Sequence, residues 1–360
     1  MALPLPLAID AMGGDNAPKA IINGARLVLK DFPDLRFVFY GDEARIRPLV
    51  NKHRKLRAAS EIVHTDHAIS MHEKVSIALR KGRKSSMRLA INSVTEKKTC
   101  GVVSAGNTGA LMATAKVVFK TLKGIERPAF AAFIPARKRR SVMLDMGANV
   151  DCNANHLLQF VIMGDAYARV VLKLDQPKIG LLNVGSEDMK GHTEVQTAHQ
   201  ILREREDSNL YYAGFVEGTD ILEGTVDVVV TDGFTGNIAL KTAEGTARLL
   251  YSSIKDALKS SLLAKIGLLL AKPALSKALR KFDPREHNGA ILLGLNGIAV
   301  KSHGGADAKS FASAIKLAVN LIEQDINNKI IEELSQTAIT GPLANPIHYE
   351  EPVVATKTVN

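Results

Sequence analysis

The sequence of 360 residues contains no tryptophan, few aromatic residues and only two cysteines, Cys100 and Cys152. Two cysteines cannot build a disulfide framework, so small disulfide-rich secreted scaffolds are excluded and a reducing compartment is expected. No run of 18 apolar residues occurs, and the sequence therefore offers no transmembrane helix. The first ten residues (MALPLPLAID) lack a basic segment followed by a long apolar one, so we expect no signal peptide.

Repeats of fixed period and linkers rich in serine, glycine and proline are also absent. The composition, with 46% hydrophobic and 23% charged residues, is that of an ordinary globular protein and excludes global disorder, collagen and coiled coils. The charge is not balanced, because 47 Lys and Arg against 37 Asp and Glu leave a net charge of +10. This excess indicates an acidic partner, which could be nucleic acid, an anionic membrane, an acidic protein or phosphate.

Short β-branched runs alternate along the chain with longer segments of helical periodicity. Strands are predicted at residues 5–10, 36–40, 101–104, 141–145, 178–183, 210–213 and 227–231, and helices at 18–30, 74–81, 85–97, 108–120, 155–174, 193–205, 236–263 and 309–328. Continuous apolar strands separated by helices are typical of a mainly parallel sheet that is buried on both faces. We therefore predict an α/β fold, a three-layer αβα sandwich, with residues 1–335 as one unit and 336–360 as a loose carboxy-terminal tail.

Glycine-rich polar segments follow five of the predicted strands, and a sixth lies near the last predicted helix. They are residues 10–18 (DAMGGDNAP), 104–109 (SAGNTG), 145–149 (DMGAN), 183–191 (NVGSEDMKG), 231–237 (TDGFTGN) and 294–305 (GLNGIAVKSHGG). In open α/β sheets, ligands bind beyond the carboxyl ends of the strands, where glycine permits close approach and helix N-termini attract anions. One such loop is often only a tight turn, but six together indicate a binding site. None matches the P-loop pattern or the GxGxxG pattern, so P-loop kinases and standard dinucleotide-binding proteins are disfavoured.

Five segments resemble, in order, the motifs of the bacterial phosphate acyltransferases, the acyl-carrier-protein:phosphate acyltransferases of phospholipid synthesis. They are residues 8–15 (AIDAMGGD), 104–111 (SAGNTGAL), 144–151 (LDMGANVD), 180–187 (GLLNVGSE) and 230–237 (VTDGFTGN). The resemblance extends over about residues 5 to 330. It implies transfer of a fatty acyl group from acyl carrier protein to inorganic phosphate, on a fold similar to that of isopropylmalate dehydrogenases and phosphotransacetylases. One departure is Gly191-His192, where the family often has Gly-Asn after its lysine.

The same resemblance implies partners and a location. Members of the family are homodimers, associate peripherally with the inner face of the cell membrane, and supply acyl phosphate to a membrane glycerol-3-phosphate acyltransferase. We therefore expect a cytoplasmic, membrane-associated homodimer that uses acyl carrier protein and inorganic phosphate. We expect no cofactor, no metal and no nucleic acid partner.

Lys190 and Asn237 are the candidate catalytic residues, and the resemblance supports both positions. Attack of phosphate on a thioester requires two positioned reactants and donors to the developing oxyanion, without a covalent enzyme intermediate. Lys190 follows a predicted strand and could bind phosphate or the oxyanion, while Asn237 begins a long predicted helix and could donate to the carbonyl oxygen. The alternatives are a solvated loop lysine and a helix N-cap.

The other candidates are polar and glycine residues of the strand-end loops, which we assign to substrate binding. They are Asp10, Gly13, Gly14, Ser104, Gly106, Asn107, Thr108, Gly109, Asn149, Asn183, Gly185, Glu187, Asp232, Gly233 and Gly236. Asp10, Asp15, Asp145 and Asp232 could also orient lysines or cap helices. Cys100 and Cys152 are interpreted as buried structural thiols, because no adjacent histidine could activate Cys100.

Residues 252–285 carry eight Lys and Arg and two Asp, so this segment supplies +6 of the net charge. Apolar residues recur at three- and four-residue spacing between the lysines, and Pro273 interrupts the pattern, which predicts a basic amphipathic helical hairpin. It is either a polar-faced core element or a protruding hairpin that contacts an anionic membrane surface. The family resemblance favours the second interpretation.

Two other functions compete with acyl transfer. A decarboxylating dehydrogenase of related fold would need a cofactor fingerprint and a metal-binding set of aspartates, and neither is found in the sequence. A basic scaffold that binds nucleic acid or membrane would not need polar residues at five strand ends.

Overall fold

The computed structural model describes residues 3–137, 140–204, 210–257 and 288–336. Within these residues lies one sheet of 11 strands. In chain order the strands are β1 (Leu7–Asp10), β2 (Phe37–Gly41), β3 (Ser60–His64), β4 (Val102–Ser104), β5 (Ala129–Ile134), β6 (Ser141–Leu144), β7 (Lys178–Leu182), β8 (Tyr211–Val216), β9 (Val228–Val230), β10 (Ala290–Leu293) and β11 (Ala299–Lys301).

The sheet consists of two parallel blocks that run in opposite directions. Its strand order is β3-β2-β1-β4-β11-β10-β5-β6-β9-β7-β8. The five strands from β3 to β11 pair in parallel, as do the four strands from β6 to β8. Three antiparallel pairings, β11–β10, β10–β5 and β5–β6, join the blocks and reverse the direction. The two blocks therefore have their carboxyl ends at different edges of the sheet.

Twelve helices of the described residues surround this sheet. They are α1 (Lys19–Val28), α2 (Glu43–Asn51), α3 (Arg54–Ala58), α4 (Val75–Lys81), α5 (Ser86–Thr95), α6 (Thr108–Phe119), α7 (Ala154–Leu172), α8 (Thr193–Arg203), α9 (Gly218–Glu223), α10 (Gly233–Ala257), α11 (Ala308–Glu323) and α12 (Ile326–Gln336). Several begin where a polar side chain accepts a backbone N–H of the first turn, as Ser85 does for α5 and Asp307 for α11.

Helices cover both faces of the sheet, which explains why the strands are continuously apolar. Successive strand side chains point to opposite faces, so Leu7 and Ile9 pack in the core that holds α1, α7 and α11. Ala8, between them, packs in the core that holds α5 and α6. All four residues of β1 are buried. The predicted three-layer αβα sandwich is confirmed.

Four strands were not predicted. The strand β11 lies inside the segment 294–305, which is interpreted from the sequence as a glycine-rich loop, and β10 directly precedes that segment. The edge strand β3 is only partly buried, and the alanines and phenylalanines of β5 fit a helix equally well. The predicted helix 309–328 is instead two helices, α11 and α12, because the chain turns between them with Asp325 in the left-handed region (φ 50°).

Two predicted features fall largely outside the described residues. Of the basic segment 252–285, only residues 252–257 are described, at the end of α10, and of the tail only Gln336 is described. Among the helices that the structure describes, none combines the length and hydropathy needed to cross a membrane.

Candidate active site

The strand-end loops gather into two groups, one for each parallel block. The strands β1, β4 and β11 are neighbours in the sheet, and so are β6, β9 and β7. Neighbouring strands lie about 4.8 Å apart, so residues at their ends come within contact distance. We call the loops that follow β1, β4 and β11 the first edge, and those that follow β6, β9 and β7 the second edge.

At the first edge, three polar residues end three neighbouring strands at the same level. Lys301 pairs in register with Ser104, and the pairing of Ile9 with Val103 places Asp10 beside Ser104. In-register residues of parallel strands point to the same face of the sheet. Asp10, Ser104 and Lys301 therefore form one row across the sheet.

The carboxylate of Asp10 organises this row. Ser104 Oγ donates to Asp10 Oδ2 at 2.6 Å, and Ser86 Oγ donates to Oδ1 at 2.7 Å. The Ser104 oxygen in turn accepts the Gly106 N–H at 3.0 Å. Burial raises the pKa of Asp10, and these hydrogen bonds oppose that shift. Asp10 and Ser104 therefore hold the loop together, and their contact with substrate stays a prediction.

Glycines allow the loops of the first edge to pack backbone against backbone. A Cβ added at Gly13 would lie 2.7 Å from the Gly106 nitrogen. At Gly14, whose φ is 95°, it would lie 2.8 Å from the Gly304 oxygen. The Asp15 N–H donates to the same Gly304 oxygen at 2.9 Å. The three loops therefore form one rigid surface.

The start of α6 is tied to the loop that precedes α4. Asn107 accepts an N–H of the first turn of α6, and its Nδ2 donates to the carbonyl oxygens of Met71 (2.9 Å) and Glu73 (3.0 Å). The amide is thereby fully used within the fold. Thr108 is exposed and Gly109 is half-buried, so these two remain open to a ligand.

The second edge is organised by Asp145, which is completely buried. Its carboxylate accepts the backbone N–H groups of Phe130, Gly147, Ala148 and Asn149, and also the Asn149 side-chain amide. Burial raises the pKa of Asp145 in spite of these donors. The Asn149 amide also donates to the Pro128 oxygen at 2.8 Å, so this predicted substrate-binding side chain holds the loop together.

The first turns of α10 pack directly on the Asp145 loop. The Gly233 N–H donates to the Asn149 oxygen at 2.7 Å. A Cβ added at Gly236 would overlap the Asp145 carbonyl oxygen. These two predicted glycines are therefore required for close approach of the helix to the loop.

Asn237 lies in the second turn of α10 and is not its N-cap. Asp232 caps the helix, since its carboxylate accepts the Thr235 N–H at 2.8 Å and the Thr235 hydroxyl at 2.7 Å. The Asn237 Nδ2 would lie 3.1 Å from a Cβ added at Gly147. Its half-buried amide makes no hydrogen bond to any described residue. The amide is thus free to donate to a ligand.

The backbone of the loop that carries Lys190 is fixed on both sides of that residue. Asn183 Nδ2 donates to the Lys190 oxygen at 2.9 Å. From α8, Gln196 Nε2 donates to the oxygens of Met189 (3.0 Å) and Gly191 (3.1 Å). The loop is therefore ordered by its backbone contacts, without using the lysine side chain.

The Lys190 side chain itself is half exposed. Its Nζ lies 3.6 Å from Glu187 Oε1, and an exposed pair of this kind contributes little to stability. The Glu187 carboxylate packs over Gly185, where an added Cβ would lie 2.7 Å from Oε2. Two exposed apolar side chains, Val184 and Met189, flank the lysine in the same loop. The ammonium is available to a substrate.

A second tether on the same loop was not predicted from the sequence. Arg203 Nη1 donates to Asp188 Oδ2 at 2.6 Å, and this interaction lowers the pKa of Asp188. His199 Nε2 lies 3.3 Å from the other carboxylate oxygen, without the alignment of a hydrogen bond. The His199 ring is held by Tyr212 OH at 2.6 Å and stacks on Phe215, and burial lowers its pKa. The only signal in the sequence is that His199 and Arg203 are four residues apart, which places them on the same face of a helix.

Neither cysteine has the features of a nucleophile. Burial raises the pKa of Cys100 to about 11 and that of Cys152 to about 12, so both are neutral thiols near pH 7. Cys100 Sγ donates to the Leu5 oxygen at 3.1 Å. Within the described ranges, no three His, Cys, Asp or Glu side chains are grouped as a metal site.

Comparison with known proteins identifies the family. Residues 5–329 match the profile of a family described as fatty acid synthesis protein. A phosphate acyltransferase of Paramagnetospirillum magneticum is 52% identical over 93% of this chain and 95% of its own. The chain belongs to the phosphate acyltransferase family. Another phosphate acyltransferase, from Rhodospirillum rubrum, is 50% identical over 97% of this chain and 99% of its own. The resemblance drawn from five sequence segments is confirmed.

Solved structures show that the phosphate acyltransferase fold is shared more widely. A phosphotransacetylase from Streptococcus pyogenes superposes with a TM-score of 0.57 at 18% identity, covering 89% of this chain and 94% of that one. A branched-chain phosphotransacylase from Enterococcus faecalis V583 gives 0.55 at 13% identity, covering 88% and 99%. At such low identity the likeness concerns the fold alone, and it agrees with the predicted relation to phosphotransacetylases.

The structure divides the predicted site residues between the two edges. At the first edge lie Asp10, Gly13, Gly14, Ser104, Gly106, Asn107, Thr108 and Gly109, and at the second Asn149, Asn183, Gly185, Glu187, Lys190, Asp232, Gly233, Gly236 and Asn237. Lys301 lies in the predicted segment 294–305 but was not selected from the sequence as a site residue, and neither was Ser86; both complete the first edge. Lys301 lies on a three-residue strand that was not predicted, so its place in the row of strand ends could not be inferred.

Proposed function

We propose that this chain transfers a fatty acyl group from acyl carrier protein to inorganic phosphate in phospholipid synthesis. The observation that carries the proposal is the pair Lys190 and Asn237 at the second edge. Their loops follow the neighbouring strands β7 and β9; among the described residues the Asn237 amide has no hydrogen-bond partner, and the Lys190 side chain has only its exposed ion pair with Glu187. An ammonium and an amide donor held on an ordered backbone are suited to stabilising an oxyanion.

The reaction requires one bond to form and one to break. A phosphate oxygen attacks the thioester carbonyl carbon, and the carbonyl oxygen becomes an oxyanion that accepts hydrogen bonds from Lys190 and Asn237. The carbon–sulfur bond then breaks, and its electron pair leaves with the carrier thiolate. The products are acyl phosphate and free acyl carrier protein. Each oxyanion donor contributes about 2.7–4 kcal/mol of transition-state stabilisation.

Twist of the sheet offers a way for the two edges to serve one reaction. The blocks run in opposite directions, but neighbouring strands rotate by about 20–25°, and five intervals separate β4 from β9. The accumulated rotation is roughly 100–125°, which is more than half of the 180° by which the directions of the two blocks would differ in a flat sheet. The carboxyl ends of both blocks are then expected on the same side of the molecule, facing a shared cleft.

Product analysis tests the proposal. The protein is incubated with long-chain acyl carrier protein and radiolabelled inorganic phosphate, and free carrier thiol is measured together with the label that becomes extractable into organic solvent as acyl phosphate. We expect equal amounts of both, formed only when phosphate is present. Release of thiol with free fatty acid as the product, or no release at all, would contradict the proposed activity.

The helix α10 supports a homodimer. Beyond its first turns its side chains are mostly exposed, and among them are the apolar Leu249, Leu250 and Ile254. A second copy of the chain would cover this face, in keeping with the dimers implied by the family resemblance. Light scattering is expected to give twice the chain mass, and Leu249→Glu with Leu250→Glu should give monomers. A wild-type monomer would contradict the dimer.

The basic segment 252–285 is proposed to contact the anionic inner surface of the cell membrane. Each lysine near such a surface contributes about 1 kcal/mol of attraction, and the interleaved apolar residues add burial. Replacing Lys259, Lys265, Lys272 and Lys277 by Glu should abolish co-sedimentation with phosphatidylglycerol vesicles while activity on soluble acyl carrier protein persists. Equal sedimentation of the variant, or none by the wild type, would exclude membrane binding.

A membrane location suits the product. Acyl phosphate is labile in water and carries an apolar chain, so release at the bilayer would pass it directly to a membrane glycerol-3-phosphate acyltransferase. The cytoplasmic, peripherally associated location and this partner are proposed on the family resemblance together with the basic segment.

A further inference from the structure

Lys301 is a buried cation to which no described residue offers a carboxylate partner. Only 8% of the residue is exposed. Its Nζ donates to two backbone carbonyl oxygens, those of Ser302 and Ala105, the latter at 3.5 Å. Among the residues that the structure describes, no carboxylate oxygen lies within 4.0 Å of this nitrogen.

A buried ammonium of this kind calls for an anion. Burying a charge is costly unless it is paired, and lysines of protein interiors are therefore almost always matched by an acid. Burial lowers the pKa of Lys301 to about 8, against the attraction of Asp10 and Asp15, so the group is still mostly protonated at neutral pH. An ammonium has three N–H donors, and only two are used here.

Asp10, the aspartate in the same row of strand ends, is not the anion that pairs with Lys301. The Asp10 oxygens already accept the hydroxyls of Ser86 and Ser104, and two strand spacings, roughly 9–10 Å, separate the backbones of Asp10 and Lys301. The carboxylate therefore anchors the loops while leaving the lysine charge uncompensated at short range.

The surroundings of Lys301 favour a small, highly charged anion. The lysine ends β11 where three glycine-containing loops converge, and Gly14 and Gly304 bring two of their backbones into contact. The exposed Thr108 hydroxyl and the first turn of α6 lie on the neighbouring loop. Backbone N–H groups, a hydroxyl and a buried cation are together the donors that phosphate prefers.

We propose that Lys301 and the loops of the first edge hold the inorganic phosphate that attacks the thioester, while the second edge holds the thioester carbonyl. This inference rests on the proposed function and assigns one substrate to each edge. It makes Lys301 a substrate-binding residue for the acceptor. The alternative is a purely structural lysine that ties Ala105 to Ser302.

Steady-state kinetics separate these two roles. Phosphate is varied at saturating acyl carrier protein substrate, and then the carrier is varied at saturating phosphate, for wild type, Lys301→Met and Lys30→Met. Lys30 is an exposed lysine of the α1 carboxyl end and serves as the matched control. We expect Lys301→Met to raise the KM for phosphate at least tenfold and to change the KM for the carrier less than twofold. An unchanged KM for phosphate would overturn the proposal.

Phosphate protection against thermal unfolding tests the same site without relying on turnover. A ligand that binds the folded chain raises its Tm with ligand concentration. Inorganic phosphate, with chloride at equal ionic strength as control, should raise the Tm of wild type and Lys30→Met but not that of Lys301→Met. Equal protection of all three proteins would overturn the site, even if the chain proved to have a different activity.

Amine labelling of the wild type covers the case in which Lys301→Met does not fold. The protein is treated with an amine-reactive reagent with and without inorganic phosphate, and modification of each lysine is followed by mass spectrometry. Phosphate should slow modification of Lys301 at least several-fold and leave Lys30 unaffected. Equal modification of Lys301 under both conditions would contradict the proposal.

Discussion

The two edges of the sheet are built from the same kind of glycine-rich loop but use their polar side chains in opposite ways. At the first edge, Asp10 and Ser104 are consumed in hydrogen bonds to each other and to the fold, and the remaining charge, Lys301, is buried. At the second edge, the loops are ordered through hydrogen bonds to their backbone, the Asn237 amide makes no hydrogen bond to a described residue, and the Lys190 side chain makes only an exposed ion pair with Glu187.

This difference fits two substrates of different size. Inorganic phosphate is small and needs only a few closely spaced donors, which suits the proposed role of the buried Lys301 and the packed loops of the first edge. A thioester attached to a carrier protein must be presented from outside, which suits exposed donors such as Lys190. The apolar side chains of Val184 and Met189 beside that lysine are exposed to the same approach.

The largest effect is expected from removal of the free donors at the second edge. Lys190→Ala and Asn237→Ala should each lower kcat about 10²-fold or more, as loss of one oxyanion donor does. Thermal unfolding should be unchanged, since neither side chain contributes a strong contact to the fold. Near-wild-type turnover in either variant would show that the residue is not needed for the reaction. Loss of folding would show that the residue supports the fold, as Asp10 and Ser104 do at the first edge.

Next in size is the disruption of the backbone packing beneath Asn237. Gly236→Ala forces a methyl group against the Asp145 carbonyl oxygen and should destabilise the protein by about 1–3 kcal/mol, measured by denaturant unfolding. Gly245→Ala is the control in the same helix, because nothing in the chain lies within 4 Å of a Cβ there, and both changes are compared in the Leu249→Glu, Leu250→Glu background so that the proposed dimer face does not contribute. It should stabilise the protein by about 0.5–1 kcal/mol. Equal effects of the two changes would contradict the proposed packing.

The pH dependence of the KM for phosphate tests the role of Lys301, the buried cation of the first edge. The pKa of Lys301 is lowered to about 8, so its positive charge is present below pH 8 and is lost as the pH rises through that value. The KM for phosphate should therefore rise about tenfold per pH unit above pH 8. In Lys301→Met the KM should already be high and should stay level over the same range. A wild-type KM that is level from pH 7 to 9.5 would argue against phosphate at the first edge.

The smallest predicted effect concerns the support of the Lys190 loop. Gln196→Leu removes two hydrogen bonds to the carbonyl oxygens that flank Lys190, each worth about 0.5–1.5 kcal/mol. We expect kcat to fall about 5-fold with little change in the KM for phosphate. Gln200→Leu, one turn along α8, loses only an exposed contact with Glu204 and should behave as wild type. Identical kinetics of the two variants would show that the loop needs no support from α8.

Much of the fold could be predicted from the sequence because most strands of both parallel blocks are continuously apolar and are separated by periodic helices. The reversal between the blocks could not, since it depends on β5, whose composition fits a helix equally well, and on β10 and β11, which lie beside or within a segment interpreted as a glycine-rich loop. Lys190 and Asn237 were selected through the resemblance and their places after predicted strands, and their catalytic role stays a prediction. Lys301 was missed because only strand register reveals that it is aligned with Asp10 and Ser104.

Direct attack of phosphate on the thioester is the central claim, and a single-turnover experiment tests it most directly. Enzyme in excess over acyl carrier protein substrate is mixed rapidly, first without phosphate and then with it, and free carrier thiol is followed over time. We predict no thiol release without phosphate, and rapid release with acyl phosphate in equal amount once phosphate is added. A burst of thiol in the absence of phosphate, with the acyl group attached to the protein, would contradict direct attack.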